Sequence, residues 1–502
     1  MDIENAYMGR MLVVDLNEGT CEEEELTEEM VNEHIGGASI NLALYKQHVD
    51  RNPIVFGTGL LTGTFAPSSC AGVVTGKSPV TGRVCHLPLT WLTAVELKYS
   101  GFDFLVVLGE SEKPVRLWLH DELAELADAQ DVWGKNVWEV TDKLRFEHGD
   151  DYVQLIGIGP AGEKGCKIAQ LSESAWGSRD VFGMGFAMGS RKLKAIAMRG
   201  LGSLEVADGF LDACVQTRQE ITKGAIFEKQ GLVALLEALG LEASELEAFK
   251  QRVHRNTASF NCAYAANTFL MIDEPPDLLQ ESKKDEPGLL VTDPAGVISL
   301  AFLKEGLPAA LREINRLGLD PVACGAVLRK EGLAEADQAV RRIQALASEG
   351  ADLESVGAEN VYGIAPWPLS EPLEARLIQA VSVFSHAVPL RPLGGEWTDF
   401  SVGDDPAERA QWWLDRMAAC SILGIDPIAV LLSPEFSLAK MAQLGAKATD
   451  WDELTEEALL KQSRRLIKET HSLGDQEGTV PSSWASADLD GALEKLRQGW
   501  EG

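Results

Sequence analysis

The sequence contains no pair of cysteines in a CxxC arrangement, although it has eight cysteines among its 502 residues. Metal and iron–sulfur sites are usually formed by clustered thiols, so cysteine spacing alone indicates neither kind of site. Scattered cysteines in a chain that begins without a secretion signal also argue against a disulfide framework. The cysteines are Cys21, Cys70, Cys85, Cys166, Cys214, Cys262, Cys324 and Cys420.

Positive charge is scarce as well. Lys and Arg number 45 against 77 Asp and Glu, which gives a formal net charge of −32. Nucleic acids and anionic membrane surfaces repel an acidic protein, so we expect neither as a partner. The start of the chain has no basic stretch followed by an apolar run, and no apolar run approaches the ~20 residues that span a bilayer. These absences predict a cytoplasmic protein.

The pattern of apolar residues differs between the two halves of the chain. Apolar runs at Met11–Leu16, Phe104–Gly109 and Val115–Leu119 predict strands, and frequent glycines predict tight turns between them. Beyond residue 208 the apolar residues recur at helical spacing, as in Phe210–Ile221 and Glu408–Leu423. We also predict helices at Gly231–Leu239, Leu300–Leu317 with a break at Pro308, Asp337–Ala347, Ser437–Leu444, Asp452–Ile467 and Leu489–Leu496. No internal repeat of fixed period is visible.

A short sequence segment, called the echo below, occurs twice in the helical half. The segment LGLDP at Leu317–Pro321 recurs as LGIDP at Leu423–Pro427. Glycine commonly ends a helix, so each copy predicts a helix C-terminus. Two sequence-similar helical domains would explain the echo.

Seven short segments follow one another between residues 8 and 200. They are Gly9–Leu16, Gly36–Gly37, Thr62–Ser68, Lys77–Gly82, Glu96–Asp103, Gly159–Glu163 and Met188–Ile196. In this order and at these spacings they resemble the aldehyde ferredoxin oxidoreductase family, whose members are tungsten- or molybdenum-pterin enzymes. The helical half matches the family only through the echo and its general helicity.

The resemblance implies an α+β fold. A β-sheet base domain would occupy residues 1–205, and two mostly α-helical domains would occupy residues 206–330 and 331–502. In the family a metal–bispterin cofactor lies between the base and the helical domains, with one [4Fe-4S] cluster close by. Electrons from aldehyde oxidation pass from the metal through the cluster to ferredoxin.

The cluster ligands that the family would supply are mostly absent. The family provides three thiols as CxxCxxxC and a fourth after Leu-Gly-Leu, and the resemblance places Cys262, Ala265, Phe269 and Asp426 at these positions. A single thiolate does not hold an iron–sulfur cluster. Cys262 is a vestige of the family's metal site by position, but a lone cysteine here is more typical of a buried free cysteine, and we expect no cluster.

The pterin-binding positions have also changed. Ala71 stands where a family arginine contacts the cofactor, and Pro88, Thr90 and Trp91 stand at family Asn-x-Gly-Gly positions. The family's Gly-Arg-Gly-Gly run is here Asp180–Gly183. Alanine lacks the guanidinium donors that suit phosphate, proline lacks a backbone donor, and Asp180 adds negative charge. These replacements predict a cleft narrowed by side chains and no bound cofactor.

Each helical domain of the family presents an Asp-x-x-Gly-Leu-(Asp/Cys) motif to one pterin. Both lead aspartates are replaced here, although Asn and Ser still offer hydrogen bonds. The vestigial cofactor-binding motifs are Asn315, Gly318 and Asp320 in the first copy and Ser421, Gly424 and Asp426 in the second.

Two residues are candidates for the family's catalytic groups. Glu286 is the only nearby candidate for the metal-adjacent glutamate that the resemblance implies, although its Glu-Pro-Gly context differs from the family's Gly-Pro-Glu. His386, ahead of the second motif, could be the catalytic histidine, but a lone histidine beside Phe384 and Ala387 is also typical of a packed side chain.

Two functional hypotheses remain open. The first is a non-catalytic member of the family that serves as a structural or regulatory subunit of an oxidoreductase complex. The second is an active oxidoreductase that oxidises an aldehyde to a carboxylic acid through an altered metal–pterin site. Concurrent losses at separate sites favour the first, and a third possibility is a vestigial cleft that binds another small molecule.

For the first hypothesis we expect a protein partner, either a catalytic paralogue or an iron–sulfur electron-transfer protein. The candidate contact segments are the charged Asp273–Thr292, which reads as an exposed loop, and the helix that carries Trp412 and Trp413. Interfaces favour Trp and Arg, but the Trp pair is equally typical of a helix packed in the protein's own core.

Overall fold

Twelve strands between residues 10 and 199 form two six-stranded sheets in the computed structural model, which describes residues 5–272, 288–349, 372–381, 383–384, 401–473 and 486–500. The first sheet has the order β2-β1-β6-β3-β4-β5 and the second has the order β11-β10-β9-β12-β7-β8. The strands are β1 (Arg10–Asp15), β2 (Thr20–Glu25), β3 (Ile54–Thr58), β4 (Gly72–Lys77), β5 (Val84–Leu89), β6 (Phe104–Leu108), β7 (Val115–His120), β8 (Leu123–Asp128), β9 (Gln154–Ile158), β10 (Leu171–Glu173), β11 (Trp176–Gly177) and β12 (Leu193–Arg199).

The two sheets have the same topology. Each begins with an antiparallel hairpin, β1–β2 or β7–β8. The first strand of each hairpin then pairs in parallel with the last strand of its unit, β6 or β12. All the other pairs in both sheets are antiparallel. The base is therefore one six-stranded unit that occurs twice, a repeat that the sequence analysis did not detect.

The strand positions follow from the apolar pattern. The predicted strands at Met11–Leu16, Phe104–Gly109 and Val115–Leu119 are confirmed as β1, β6 and β7. All five residues of β6 are buried, as expected for a continuous apolar run inside a covered sheet. In contrast, the edge strand β2 carries four consecutive glutamates, Glu22–Glu25, and all four are exposed.

Short helices connect the strands of the base and cover its faces. They are α1 (Glu28–His34), α2 (Gly37–Gln47), α3 (Thr93–Tyr99), α4 (Val137–His148), α5 (Pro160–Glu163) and α6 (Met184–Ser190), with a 3₁₀ turn at Val49–Arg51.

The second half is mainly helical, as predicted. Its helices are α7 (Phe210–Ile221), α8 (Leu232–Ala238), α9 (Glu247–Gln251), α10 (Pro294–Leu300), α11 (Leu307–Leu317), α12 (Pro321–Lys330), α13 (Ala336–Glu349), α14 (Pro372–Val381), α15 (Pro406–Leu423), α16 (Pro427–Leu432), α17 (Leu438–Thr449), α18 (Glu456–Ser472) and α19 (Ala487–Gln498). Shorter 3₁₀ segments lie at Ala225–Glu228 and Ala301–Gly306. The predicted helices in this half are confirmed to within a few residues at either end. Together with the two sheets they confirm the predicted α+β class.

A small antiparallel sheet in this half was not predicted. It consists of β13 (Val253–Thr257), β14 (Asn267–Leu270) and β15 (Leu289–Val291). Strand β15 falls inside the segment predicted as an exposed loop, and its three residues are buried, so that prediction is wrong for this part. Residues 273–287 of the same segment lie outside the described residues.

One described stretch, Pro294–Leu317, is long and apolar enough to cross a membrane by length and composition. The sequence analysis expected no such run. Its most apolar window is 72% buried inside the protein, as expected for a core helix. The stretch is also bent, because Lys304 has φ 48° and ψ −109°. The break therefore lies at Lys304, and the predicted break at Pro308 is wrong because that proline fits the first turn of α11.

The tryptophan pair of α15 lies in the core. Trp413 is fully buried and Trp412 is 8% exposed. The Arg416 guanidinium lies 3.9 Å from the centre of the Trp412 ring. The interpretation of this pair as a contact surface is therefore wrong, because the rings pack inside the chain itself.

Candidate functional site

Each copy of the echo is the turn between two consecutive helices. We call these turns the first corner, Leu317–Pro321, and the second corner, Leu423–Pro427. In each, the glycine ends a helix in the left-handed conformation, with φ 70° at Gly318 and φ 80° at Gly424. Each aspartate then caps the next helix by accepting a backbone N–H, at 2.8 Å for Asp320 and 3.1 Å for Asp426. Both segments are confirmed as helix ends, and the similarity in sequence is a similarity in local structure.

The first corner docks on the second sheet through backbone hydrogen bonds. The N–H of Asp320 donates to the carbonyl of Ile168 at 2.9 Å, and the N–H of Gln170 donates to the carbonyl of Gly318 at 3.0 Å. A side chain at Gly159 would lie 2.2 Å from a backbone oxygen of this corner. Only glycine fits this approach.

The second corner docks on the first sheet in the same way. The N–H of Asp426 donates to the carbonyl of Ser68 at 2.8 Å, and the N–H of Ala71 donates to the carbonyl of Gly424 at 3.0 Å. A side chain at Gly59 would lie 2.0 Å from a backbone nitrogen of the corner. The base and the helical half are thus in direct backbone contact at both motifs that the resemblance assigns to pterins.

The lead positions of the two motifs also face protein. The side-chain oxygen of Asn315 accepts a hydrogen bond from the indole N–H of Trp138. The backbone oxygen of Ser421 lies so close to Gly37 that a side chain there would approach it to 1.9 Å.

Glu173 fills the region where the resemblance expects glycines. Its buried carboxylate accepts the backbone N–H of Thr90 at 3.1 Å and that of Trp91 at 3.2 Å, and it accepts the hydroxyl of Thr93 at 2.6 Å. Burial raises the pKa of Glu173, and these hydrogen bonds oppose the rise. Donors that could approach a cofactor are therefore directed at an internal carboxylate.

Asp180 binds backbone N–H groups in and around the altered segment Asp180–Gly183. Its buried carboxylate accepts the backbone N–H groups of Leu171 at 2.9 Å, Phe182 at 2.9 Å and Gly185 at 3.2 Å. Concavities lined by backbone N–H groups favour an anion, and here the anion is a side chain of the protein. The Phe182 ring is buried beside it. The side chains present at these positions therefore do not fit the phosphates of a bispterin.

Two of the four cluster positions, Cys262 and Asp426, come together in space, and Cys70 joins them. The Sγ atoms of Cys70 and Cys262 lie 3.7 Å apart, and one ligand atom from each of Cys70, Cys262 and Asp426 lies within 4.8 Å of the others. Phe269, at another cluster position, instead packs its ring edge-to-face against Trp176 at 5.7 Å. Two thiols do not fit a [4Fe-4S] cluster, which takes four.

Arg179 connects this group to the second corner. Its guanidinium donates to Oδ1 of Asp426 at 3.2 Å, and both side chains are buried. Burial is the largest single influence and lowers the pKa of Arg179, but the charge and the hydrogen bond of Asp426, together with the charge of Asp293, raise that pKa above its ordinary value. Sequence reasoning missed both Cys70 and Arg179, because their partners lie 192 and 247 residues away.

Acidic groups surround the first corner. Asp293, the N-cap of α10, has its pKa raised by burial to about 6. Burial also raises the pKa of Asp320 well above its ordinary value, and the charges of Asp293 and Asp180 add to the rise. A cavity that leaves about 40 Å³ for the centres of water molecules lies here, lined by Asp293, Gln170 and Asn315 among others.

The two candidate catalytic residues, Glu286 and His386, lie outside the described residues. Their roles remain predictions.

Known proteins resemble the chain mainly over its first two fifths. Residues 11–200 match the family model described as aldehyde ferredoxin oxidoreductase, N-terminal domain. The tungsten-containing aldehyde ferredoxin oxidoreductases of Pyrococcus abyssi and Pyrococcus horikoshii are each 37% identical over 210 residues, 40% of this chain and 35% of theirs. The aliphatic sulfonate oxidoreductase, WOR-like subunit, of Pyrococcus furiosus is 28% identical over 227 residues, 40% of this chain and 36% of its own. The matches thus span about a third of each relative's length.

One solved structure is similar over nearly the whole chain. It is the active site complex BamBC of benzoyl coenzyme A reductase in complex with 1,5 dienoyl-CoA, with a TM-score of 0.76 and 17% identity, covering 99% of this chain and 94% of that one. At this identity the similarity establishes the fold alone. Residues 11–200 are therefore similar to the N-terminal domain of aldehyde ferredoxin oxidoreductases, and over nearly its whole length the chain shares its fold with the BamBC structure.

Proposed function

We propose that the chain is a non-catalytic, structural or regulatory subunit of a cytoplasmic oxidoreductase complex. The observation that carries the proposal is the pair of internal carboxylates, Glu173 and Asp180. Glu173 accepts the backbone N–H groups of Thr90 and Trp91, which stand at family glycine positions, and the hydroxyl of Thr93. Asp180 stands in place of the first glycine of the family's Gly-Arg-Gly-Gly run and accepts three backbone N–H groups. A phosphate group placed there would meet a buried negative charge instead of free N–H donors.

The corners support the same function. Both dock on the base by backbone hydrogen bonds, and at glycines where an added side chain would lie only 2.0–2.2 Å from the backbone of the corner. A cofactor between the base and the helical half would have to break these bonds. Keeping such close backbone contacts preserves the shape of a family member without its chemistry, which suits a subunit whose role is to bind another chain.

The names of similar proteins agree with a role in an assembly. One relative is called a WOR-like subunit, and the similar solved structure is an active site complex. We infer a catalytic paralogue or an iron–sulfur electron-transfer protein as the partner. The net charge of −32 favours a partner with a basic contact surface or an apolar interface.

Native purification tests this function. The tagged full chain is isolated anaerobically from its own cells, sized, and its co-purifying chains are identified by mass spectrometry. Tungsten, molybdenum and iron are then measured on this chain after the subunits are separated. We expect a stoichiometric partner chain and no tungsten or molybdenum on this one.

Two results would overturn the proposal. One is a lone species of 54.4 kDa with no partner at cellular concentration. The other is one tungsten or molybdenum atom bound per chain together with aldehyde oxidation by the isolated chain, which would establish the active-oxidoreductase hypothesis instead.

A further inference from the structure

Three segments far apart in the sequence bring two thiols and a carboxylate together. Cys70 lies just before β4 in the first sheet, Cys262 lies between β13 and β14, and Asp426 lies in the second corner. Their ligand atoms all lie within 4.8 Å of one another. The group is assembled by tertiary structure and therefore has no motif in the sequence.

The separation of the two sulfurs fits a shared metal ion. In a tetrahedral site with Zn–S bonds of about 2.3 Å, two sulfur ligands lie about 3.8 Å apart. The Sγ atoms of Cys70 and Cys262 lie 3.7 Å apart. A disulfide would need about 2.05 Å, so the side chains would have to move to form one.

The charges balance around a divalent ion. One divalent cation, two thiolates, the Asp426 carboxylate and the Arg179 guanidinium sum to zero. Without the ion, two neutral thiols and the Asp426–Arg179 ion pair also sum to zero. A buried net charge is costly. Replacing two thiol protons by one divalent cation leaves the net charge of this buried group at zero, so electrostatics do not oppose metal binding here.

Neighbouring groups orient the ligands. In the metal-free chain the thiol of Cys70 donates to the carbonyl of Thr90 at 3.3 Å, which holds the sulfur in place until the thiol gives up its proton to a metal. Oδ1 of Asp426 accepts both Arg179 and the backbone N–H of Ile428, which leaves the second carboxylate oxygen for a metal. Such outer contacts fix ligand geometry in metal sites.

A small cavity lies beside the group. It leaves about 10 Å³ for the centre of a water molecule, which is room for about one water, and it is lined by Cys262 and Asp426 together with Ser68, Ser259 and Tyr264, among others. Cys262 is partly exposed, whereas Cys70 is fully buried. Three protein ligands beside a cavity leave a fourth position open, as in zinc sites that keep a water.

From this geometry we propose that Cys70, Cys262 and Asp426 bind one Zn²⁺ ion, with the fourth coordination position facing the cavity. Two soft sulfur ligands favour Zn²⁺ over Mg²⁺ or Ca²⁺, which prefer oxygen ligands. The site differs from an iron–sulfur cluster in ligand number, in its use of Cys70 and in its carboxylate. It goes beyond the proposed function, since a non-catalytic subunit and an active enzyme could both carry it.

Metal titration of the full chain tests the site. The reduced protein is stripped with a chelator under anaerobic conditions and titrated with Co²⁺ as a visible probe, and Zn²⁺ is then added as a competitor. We expect one Co²⁺ per chain with thiolate-to-cobalt absorption, displacement by Zn²⁺, and release of two protons for each ion bound. The affinity should therefore rise with pH across the range in which the thiols are protonated.

Variants identify the ligands. Cys262→Ser and Cys70→Ser should each weaken Co²⁺ binding by more than ~10-fold and reduce the thiolate absorption. Cys21→Ser, on the edge strand β2, is the matched control and should bind as the unaltered chain does. Cys262 is partly exposed, so its serine variant should remain folded, and thermal unfolding verifies that it has.

Three outcomes would overturn the proposal. They are the absence of Co²⁺ absorption in the reduced chain, four iron atoms per chain after reconstitution with iron and sulfide, and binding that persists in both Cys70→Ser and Cys262→Ser. If the reduced chain binds no metal but forms a Cys70–Cys262 disulfide on oxidation, the pair is a redox couple instead. None of these results depends on whether the chain binds tungsten or a partner, so the two proposals can fail separately.

Discussion

The two corners have one backbone design and opposite electrostatic surroundings. The first has the buried carboxylates Asp180, Asp293 and Asp320 around it, and burial raises the pKa of each. The second has Asp426 in an ion pair with Arg179, beside two thiols. The difference shows that a repeated local structure sets where a residue stands, while residues from other elements decide its chemistry.

The largest expected effect comes from the same substitution at the two equivalent caps. Asp426→Asn keeps a cap oxygen but removes the partner of the buried Arg179, so we expect a loss of about 3–5 kcal/mol in the free energy of unfolding. Asp320→Asn removes a carboxylate whose ionisation burial already disfavours, so we expect no loss or a small gain. Denaturant unfolding of the metal-free chain measures both. Equal losses would show that the two corners are electrostatically alike.

Steric substitution tests whether the corners dock equally. Gly59→Ala and Gly159→Ala would place a methyl group 2.0 and 2.2 Å from corner backbone atoms, so we expect each to cost at least about 3 kcal/mol of unfolding free energy. Gly491→Ala is the matched control, because nothing lies within 4 Å of that position and its helix favours alanine. Tolerance of alanine at one corner alone would mean that this corner does not pack on its sheet.

A pH dependence should belong to the first corner. The pKa of Asp293 is raised from 3.8 to about 6, so the folded chain holds a proton there that the unfolded chain has lost. Stability therefore falls as pH rises from 3.8 to 6, by about 3 kcal/mol from this group, since one pKa unit is about 1.4 kcal/mol. Asp293→Asn keeps the cap and should remove this part of the fall. An identical pH profile in the variant would show that another group titrates.

The smallest expected effect concerns Glu173, a residue of the second sheet whose carboxylate accepts hydrogen bonds from residues that follow β5 of the first sheet. Thr93→Val removes one of the three donors to Glu173, and we expect a loss of about 1.5 kcal/mol, typical of a hydrogen bond to a charged group. Thr141→Val is the control, because that hydroxyl bonds only within its own helix, to the carbonyl of Val137. If the two variants lose the same stability, the hydrogen bond between Thr93 and Glu173 contributes nothing of its own.

The sequence predicted the fold where the signal is local. Apolar runs located β1, β6 and β7, helical spacing located α7 and α15, and a glycine marked the end of each helix at the corners. The repeat of the base was missed because equivalent strands share order and direction but few residues. The sheet of β13–β15 was missed because strands of three to five residues carry too short a pattern.

The candidate site was predicted in part. The family resemblance selected Cys262 and Asp426, and the structure brings them together. Cys70, Glu173 and Arg179 were missed because each acts through contacts with residues distant in the sequence, which no spacing rule reports.

The edge strand β2 has a consequence for how copies of the chain meet. An edge strand has backbone groups that can pair with a strand of another molecule, and such pairing starts aggregation. On β2 four neighbouring glutamates are exposed, so a second copy aligned there would bring like charges together. High salt weakens this repulsion, and self-association through β2 should therefore appear first in concentrated salt. A chain that adds to this edge under ordinary conditions must carry lysine or arginine opposite the glutamates.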